Sequence, residues 1–346
     1  MKPTVPGRLH AQGLDAARFD TAADVVRHLG CVQSQMPDMA LWGIGRRTSG
    51  LTMDDVRASF ADGDFVRTHV LRPTWHYVDP DDIHWLLALT APRIGRLLAS
   101  SNSGIGLTQQ RLDDAAEVIV AAVADGPLTR AQLAGRLADA GMPHTGQALA
   151  HVVMHAEITA LIINGPMAGK QHTYRTLDPR EVPSSYDELL TRAAVRYGLG
   201  HGPFRDRDLA WWTSLTLTDA RRAIELAGLD RVDVGGEAHW SAGTPVEAEA
   251  PRALLLPAFD EYISYARDES DYAGLAGSTQ DLMRGTGLLM VDGTLAGTWT
   301  RTITARTVEI AVVSSSRTTG PVKREIAREA AAFGRFVERE PTLTYV

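Results

Sequence analysis

A recurring order of elements, helices followed by a two-stranded ribbon, runs three times through residues 1–243 and leaves few folds open to this chain. The first pass begins at TAADVVRHLGCVQ, which reads as a helix capped by Thr21. A second helix fits DMALWGIGRR, and a third fits LTMDDVRASFADG with Thr52 and Asp54 at its start. Two β-prone runs, DFVRTHVL and TWHYV, follow on either side of Arg72-Pro73. The helical pattern then restarts at DPDDIHWLLALTAPRIGRLL, with Asp79 or Asp81 as its cap.

The second pass is the clearest. TQQRLDDAAEVIVAAVADG is a strong helix, and Thr129 caps the next one, in which Leu133 and Leu137 lie a turn apart. GQALAHVVMHAEITA follows, then strands ALIING and QHTYRTL joined through Gly165 to Gly169. The third pass is fainter, with helices over SYDELLTRAAVRYGLGHG and on both sides of SLTLT. RVDVGG and EAHWSA then form a ribbon around Gly235-Gly236. Helix-turn-helix plus ribbon is the pattern of a winged helix. Beyond residue 244 the chain turns strand-rich, with a hairpin signal at Asp292-Gly293 and a terminal helix over PVKREIAREAAAFGRFVERE. The expected fold class is α+β: winged helices at 1–100, 101–180 and 181–243, then a small β-rich, barrel-like domain at 244–346 with its terminal helix. No low-complexity linker separates the units, so they are expected to pack as one rigid body.

Composition narrows the function classes. No apolar run is long enough to span a bilayer, and the N-terminus lacks the apolar core of a signal peptide, so a cytoplasmic protein is expected. The lone cysteine, Cys31, excludes an internal disulfide framework, and no Cys/His spacing suggests zinc. The net charge of −7 is not that of a generic nucleic-acid binder, yet a basic concave face on an acidic body is compatible with it. Nearly all the positive charge is arginine; the lysines are Lys2, Lys170 and Lys323.

Several motifs reduce to structure. GPMAGK (165–170) is too short for a phosphate loop and reads as a wing tip. His151 and His155 have a metal-compatible spacing without the HExxH glutamate, among Val152, Val153 and Met154, which favours helix packing. There is no GxSxG elbow. RTHVLRPTWHYV offers Arg67, His69, Arg72, Trp75 and His76 on a ribbon, suited to binding phosphate or polarising a leaving group, but taken alone it reads first as an ordinary wing. The pair Gln33 and Gln35, astride Ser34, sits before Pro37; in isolation such amides commonly tie down orphan backbone groups.

Taken together, GCVQSQMPDMALWGIGRR, RTHVLRPTWHYV, DDIHWLLALTAPR, LLLPAFDEYI and LMVDGTLAGTW resemble the AlkZ/YcaQ-like winged-helix DNA glycosylases, in the family's order and over nearly the whole chain. The family excises alkylated bases and unhooks interstrand crosslinks. Its signature, glutamine, a usually bulky apolar residue, then glutamine or aspartate, falls on Gln33, Ser34 and Gln35; Ser34 departs from it. The resemblance implies a DNA glycosylase for alkylated purines; the scarcity of lysine makes a Schiff-base lyase step unfavourable, so a monofunctional enzyme is expected, with no cofactor and no metal. Gln33 and Gln35 would be catalytic, positioning water, and Asp38 would be either an electrostatic helper or a helix cap. Arg46, Arg47, Arg67, Arg72 and His76 would meet DNA, and the hairpins near Gly235 and at 292–293 would probe the minor groove. The expected partner is double-stranded DNA carrying alkylated bases, with no membrane and no obligate protein partner. A non-catalytic DNA-binding regulator or lesion sensor, or a protein-binding scaffold, are the alternatives.

Overall fold

The computed structural model describes residues 4–182, 185–243, 251–266, 284–315 and 318–346. An unanticipated helix, α1 (Thr4–Ala11), precedes α2 (Ala22–Leu29). Thr21 caps α2 as expected, accepting from the Asp24 amide at 3.1 Å. The helix stops earlier than its sequence suggests, because Gly30 turns to a φ of 78°. CVQ therefore leaves the helix and becomes a short strand, β1 (Cys31–Gln33). Next come α3 (Pro37–Gly45), α4 (Met53–Asp62), β2 (Val66–His69), β3 (Trp75–Val78) and α5 (Ile83–Gly104). Thr52 and Asp55 form a capping box on α4. At α5 the cap position is Asp82; Asp79 instead accepts from the Asp81 amide in the preceding turn.

The same order of helix, strand, helix, helix, strand, strand returns in α6 (Gln109–Val123), β4 (Leu128–Thr129), α7 (Arg130–Asp139), α8 (Gly146–Ile158), β5 (Ile162–Ala168) and β6 (Gln171–Thr176). Strand orders agree too: β1-β3-β2 in the first sheet and β4-β6-β5 in the second. A third stretch, α9 (Tyr186–His201), α10 (Asp206–Thr213), α11 (Leu217–Ala227), β7 (Asp230–Val234) and β8 (Glu237–Ser241), has a two-stranded sheet. A lone bridge from Phe204 to Trp240 stands where the third strand would pair.

The C-terminal sheet comprises β9 (Ala253–Leu256), β10 (Gly287–Val291), β11 (Thr294–Ile303), β12 (Thr307–Ser314) and β13 (Glu340–Tyr345), in the order β13-β12-β11-β10-β9. Among the described residues it is a single curled sheet, a half-barrel in keeping with the barrel-like domain expected. Helix α12 (Gly320–Phe336) does not end the chain: it crosses over so that β13 pairs in parallel with β12. The boundary anticipated at residue 244 lies outside the described residues. Among those described, no helix is long and apolar enough to cross a membrane.

The cores cut across the repeat. One cluster joins α2, α3 and α4 to the C-terminal sheet and α12. A second joins β2, β3 and α5 to α9, α10 and α11, whereas the α6–β6 stretch keeps a core of its own. Helix α3 explains the first of these. Met39 through Gly45 are all buried, so the helix is enclosed on every side. Trp42 donates its indole N–H to Leu255 O at 2.7 Å and packs edge-on against Phe333. Gly45 is required here, since a Cβ would lie 2.3 Å from the Phe336 ring. Each buried large side chain contributes about 1.5–3 kcal/mol, so the start of α3 is fixed by its whole length.

Candidate active site

The glutamine pair occupies the end of β1 and the turn into α3, with Pro37 opening the helix. β1 pairs antiparallel with β3, which sets Gln33 opposite His76 and places Ser34 N 2.8 Å from Trp75 O. Pairing stops there, so Gln35 departs from the ladder. Its Oε1 is buried and has no hydrogen-bond partner among the described residues. A buried acceptor without a protein donor costs about 1–3 kcal/mol unless water satisfies it.

Gln33 is held from two sides. Its backbone N–H donates to Glu261 Oε1 at 2.9 Å, and its side-chain Oε1 accepts from Arg72 Nη2 at 3.2 Å. Arginine can only donate, so the amide must present its oxygen to Arg72 and turn its Nε2 hydrogens away. The Arg72 fork also donates to Trp212 O at 2.8 Å, contacts His76 Nε2 at 3.2 Å and lies over the Trp211 ring. His76 is fully buried, and burial together with the Arg72 charge pushes its pKa down to about 3. The neutral ring donates from Nδ1 to Thr74 O and accepts from Arg72.

Glu261 completes this arrangement. Burial alone would raise its carboxyl, but the hydrogen bond and charge of His201, with His76 and Arg72, bring it down to about 2. One carboxylate oxygen takes the Gln33 amide and the other contacts His201 Nε2 at 3.2 Å. Asp260 caps the short 3₁₀ turn Glu261–Ile263 and thereby orients the glutamate.

Ser34 has a different set of partners. Arg67 donates from Nε to Ser34 Oγ and from Nη2 to Ser34 O, both at 3.1 Å, and from Nη1 to Asn164 Oδ1 at 2.6 Å. Asn164 reaches Glu157, whose other carboxylate oxygen binds His69 at 2.5 Å. The middle residue of the motif is thus tied to α8 and β5 by a fully buried polar chain. Its small hydroxyl supplies an acceptor that a bulky apolar side chain could not give the Arg67 Nε.

The cations expected to face DNA meet a different geometry. Arg47 is 1% exposed and grips Asp260 through both Nη atoms, at 2.9 and 2.8 Å, with further bonds to Gly43 O and Gln12. Arg46 pairs with Glu329 at 2.9 Å, joining α3 to α12. Arg67 and His76 are buried as described, and Arg72 supports Gln33. In this structure each of these side chains makes the protein contacts named above. Asp38 is exposed in the first turn of α3 and pairs with Arg57 at 3.1 Å; it does not cap the helix with its side chain.

Glu261, Glu157 and Asn164 were not anticipated. Glu261 lies within LLLPAFDEYI, yet it sits 228 residues from Gln33, and no local spacing links the two. The His151 and His155 pair does not converge: His151 contacts Asn102, and His155 contacts Asp113 at 2.8 Å.

Comparison with known proteins gives the same direction from outside the site. An interstrand DNA cross-link repair glycosylase of Streptomyces sahachiroi is 25% identical over 318 residues, covering 84% of this chain and 85% of that protein. The solved structure of Streptomyces sahachiroi DNA glycosylase AlkZ superposes with a TM-score of 0.80 at 22% identity, covering 100% of both chains, and so shares the fold. The family model described as DNA glycosylase AlkZ-like matches residues 26–336, and the chain belongs to that family of DNA glycosylases.

Proposed function

We propose that the enzyme is a monofunctional glycosylase that hydrolyses the N-glycosidic bond of N7- or N3-alkylated purines in double-stranded DNA, bulky adducts and crosslinks included, with Gln33 and Gln35 positioning the water. The observation carrying this reading is the buried Oε1 of Gln35, without a partner among the described residues, two positions along the chain from a Gln33 amide whose orientation Arg72 has set. An alkylated purine is already cationic, so its bond to C1′ breaks without a general acid and leaves an oxocarbenium-like sugar. A water that accepts from Gln33 Nε2 and donates to Gln35 Oε1 keeps one lone pair for C1′. Attack forms the C1′–O bond, the base departs with the former bonding pair, and the water's second proton passes to solvent. The scarcity of lysine argues against a Schiff-base lyase step.

The same reading takes residues 1–100, 101–180 and 181–243 as winged helices and 244–346 as the β-rich domain. Support for this comes from the matching strand orders of the first two sheets and the Phe204–Trp240 bridge of the third. Release of N7-methylguanine from methylated duplex DNA tests the function. Wild-type protein should free the base and a Gln35→Ala variant should bind the duplex without freeing it. A protein that binds alkylated DNA but liberates no base would be the non-catalytic binder.

A further inference from the structure

Glu261 sets a buried negative charge directly against the glutamine motif. It is 1% exposed, and its carboxylate lies 2.9 Å from Gln33 N. Among the described residues its two side-chain hydrogen-bond partners are neutral. One is the Gln33 backbone N–H; the other is the His201 ring, whose pKa burial holds below its usual value. That ring is fixed in turn by stacking on Tyr197, with 4.4 Å between centroids and 13° between planes. Neighbouring buried acids differ in kind. Asp260 is gripped by Arg47 and Asp208 by Arg205, each through two nitrogens, so those charges are cancelled on the spot. Burial opposes ionisation of Glu261, yet its pKa of about 2 keeps it a carboxylate at neutral pH.

The chain places this charge with respect to the reaction. The Gln33 backbone faces Glu261, while its side-chain amide, turned by Arg72, meets the attacking water in the reading above. Water attacks C1′ on the face opposite the departing base, so the carboxylate stands behind the attacked face and farther from the base. An alkylated purine carries its positive charge on the base in the ground state. In the transition state that charge has moved onto the sugar. A fixed anion behind the water therefore favours the transition state over the ground state. Opposite unit charges roughly 10 Å apart in a protein attract enough to change a rate about tenfold.

We propose that Glu261 is the counter-charge of this reaction, a positioning residue that fixes the Gln33 backbone through one oxygen and draws positive charge from the base onto the sugar without touching the substrate. The inference rests on the glycosylase reading and adds to it a residue 228 positions from Gln33.

The test measures equilibrium affinity for two duplexes. One carries a pyrrolidine analogue of the sugar that is cationic at neutral pH, and the other its uncharged tetrahydrofuran counterpart. Single-turnover release of N7-methylguanine is followed alongside. Wild-type protein should favour the cationic duplex by about tenfold or more. Glu261→Gln keeps an oxygen for the Gln33 N–H but carries no charge, and thermal melting confirms its fold. Its preference should vanish and its release fall about tenfold, with affinity for the tetrahydrofuran duplex unchanged. Glu261→Asp shortens the side chain but retains the charge, and should keep most of the preference. A glutamate that served only to tie down the backbone would give the reverse order, with glutamine restoring function and aspartate failing. A preference that survives in the glutamine variant, or is lost in a folded aspartate variant, overturns the proposal. So does a wild-type protein indifferent to the charge on the sugar. If wild-type protein frees no methylguanine, the glycosylase reading fails separately, and the affinity ratio still decides whether Glu261 answers a cationic sugar.

Discussion

The side-chain carbonyl of Gln33 accepts a hydrogen bond from Arg72 Nη2 at 3.2 Å, and this contact turns the amide Nε2 away from Arg72. Because Arg72 is anchored at Trp212 O and over Trp211, the third stretch of the chain helps orient a residue of the first. Arg72→Lys keeps the charge but loses the planar fork, so it cannot serve Gln33 and Trp212 together. Single-turnover release of N7-methylguanine by this variant should fall roughly 10–100-fold, since small misplacement of a catalytic group costs about that much. Release at the wild-type rate would remove Arg72 from the mechanism.

Ser34 matters through Arg67. In Ser34→Ala the buried Nε of Arg67 loses its acceptor, and a charged donor left open there should cost about 1–3 kcal/mol. The midpoint of urea unfolding reads this directly. Ser34→Leu adds bulk to the lost bond and should cost more than the alanine variant. If leucine were the more stable of the two, the account of the small polar residue would be wrong.

Arg47 tests the reassignment of the expected DNA contacts. Its pair with Asp260 is wholly enclosed, and breaking such a pair from one side costs about 3–5 kcal/mol. Arg47→Met should therefore lower the melting temperature strongly. At temperatures where the variant stays folded, the salt dependence of its DNA affinity should match wild type. A reduced salt slope would instead mean that Arg47 neutralises a phosphate.

How much of this was legible in the sequence depends on the range over which each signal acts. Thr21, Thr52 and Thr129 cap their helices as read, because a cap and its helix are adjacent in the chain. The Asp292-Gly293 hairpin likewise joins β10 to β11. β1 was hidden: three residues carry too little periodicity to signal a strand, and only pairing with β3 makes them one. β13 depends on a crossover through α12, and Glu261 depends on the C-terminal sheet packing against α3. Arginine clusters misled for a related reason. Charge in a sequence suggests exposure, whereas Arg47 and Arg67 are buried by carboxylate and carbonyl partners distant in the chain.

Acid should weaken the fold in two steps. The folded-state pKa of His76, about 3, lies below the unfolded value of about 6.5. The unfolded chain therefore takes up that proton first, and stability falls as pH drops from about 6.5 towards 3. Glu261 contributes stability above its unfolded value of 4.5, lost as pH falls through about 2. Between pH 7 and pH 4.5 the buried histidines dominate, His172 and His201 being shifted down alongside His76. His76→Gln carries its amide out to the Nε2 position and so keeps an acceptor for Arg72 without titrating; its unfolding free energy should drop by at least about 1 kcal/mol less than wild type over that interval. Equal drops would place the acid sensitivity elsewhere.

Gln35 sets stability against activity at a single atom. Its Oε1 is buried and takes no hydrogen bond from a described residue, so leucine would lose no protein contact made through that atom. Replacing glutamine by leucine removes the polar atom and keeps most of the volume, and such removal can be neutral or stabilising. Gln35→Leu should then unfold at the same or higher urea concentration, by up to about 1 kcal/mol, while base release falls by roughly two orders of magnitude or more. A destabilised variant would show that the amide is a structural tie. A variant that is stable and still active would show that the water is held by other groups. Unchanged or raised stability with loss of release is the outcome that the proposed water-positioning acceptor requires, because a group kept for function need not contribute to stability.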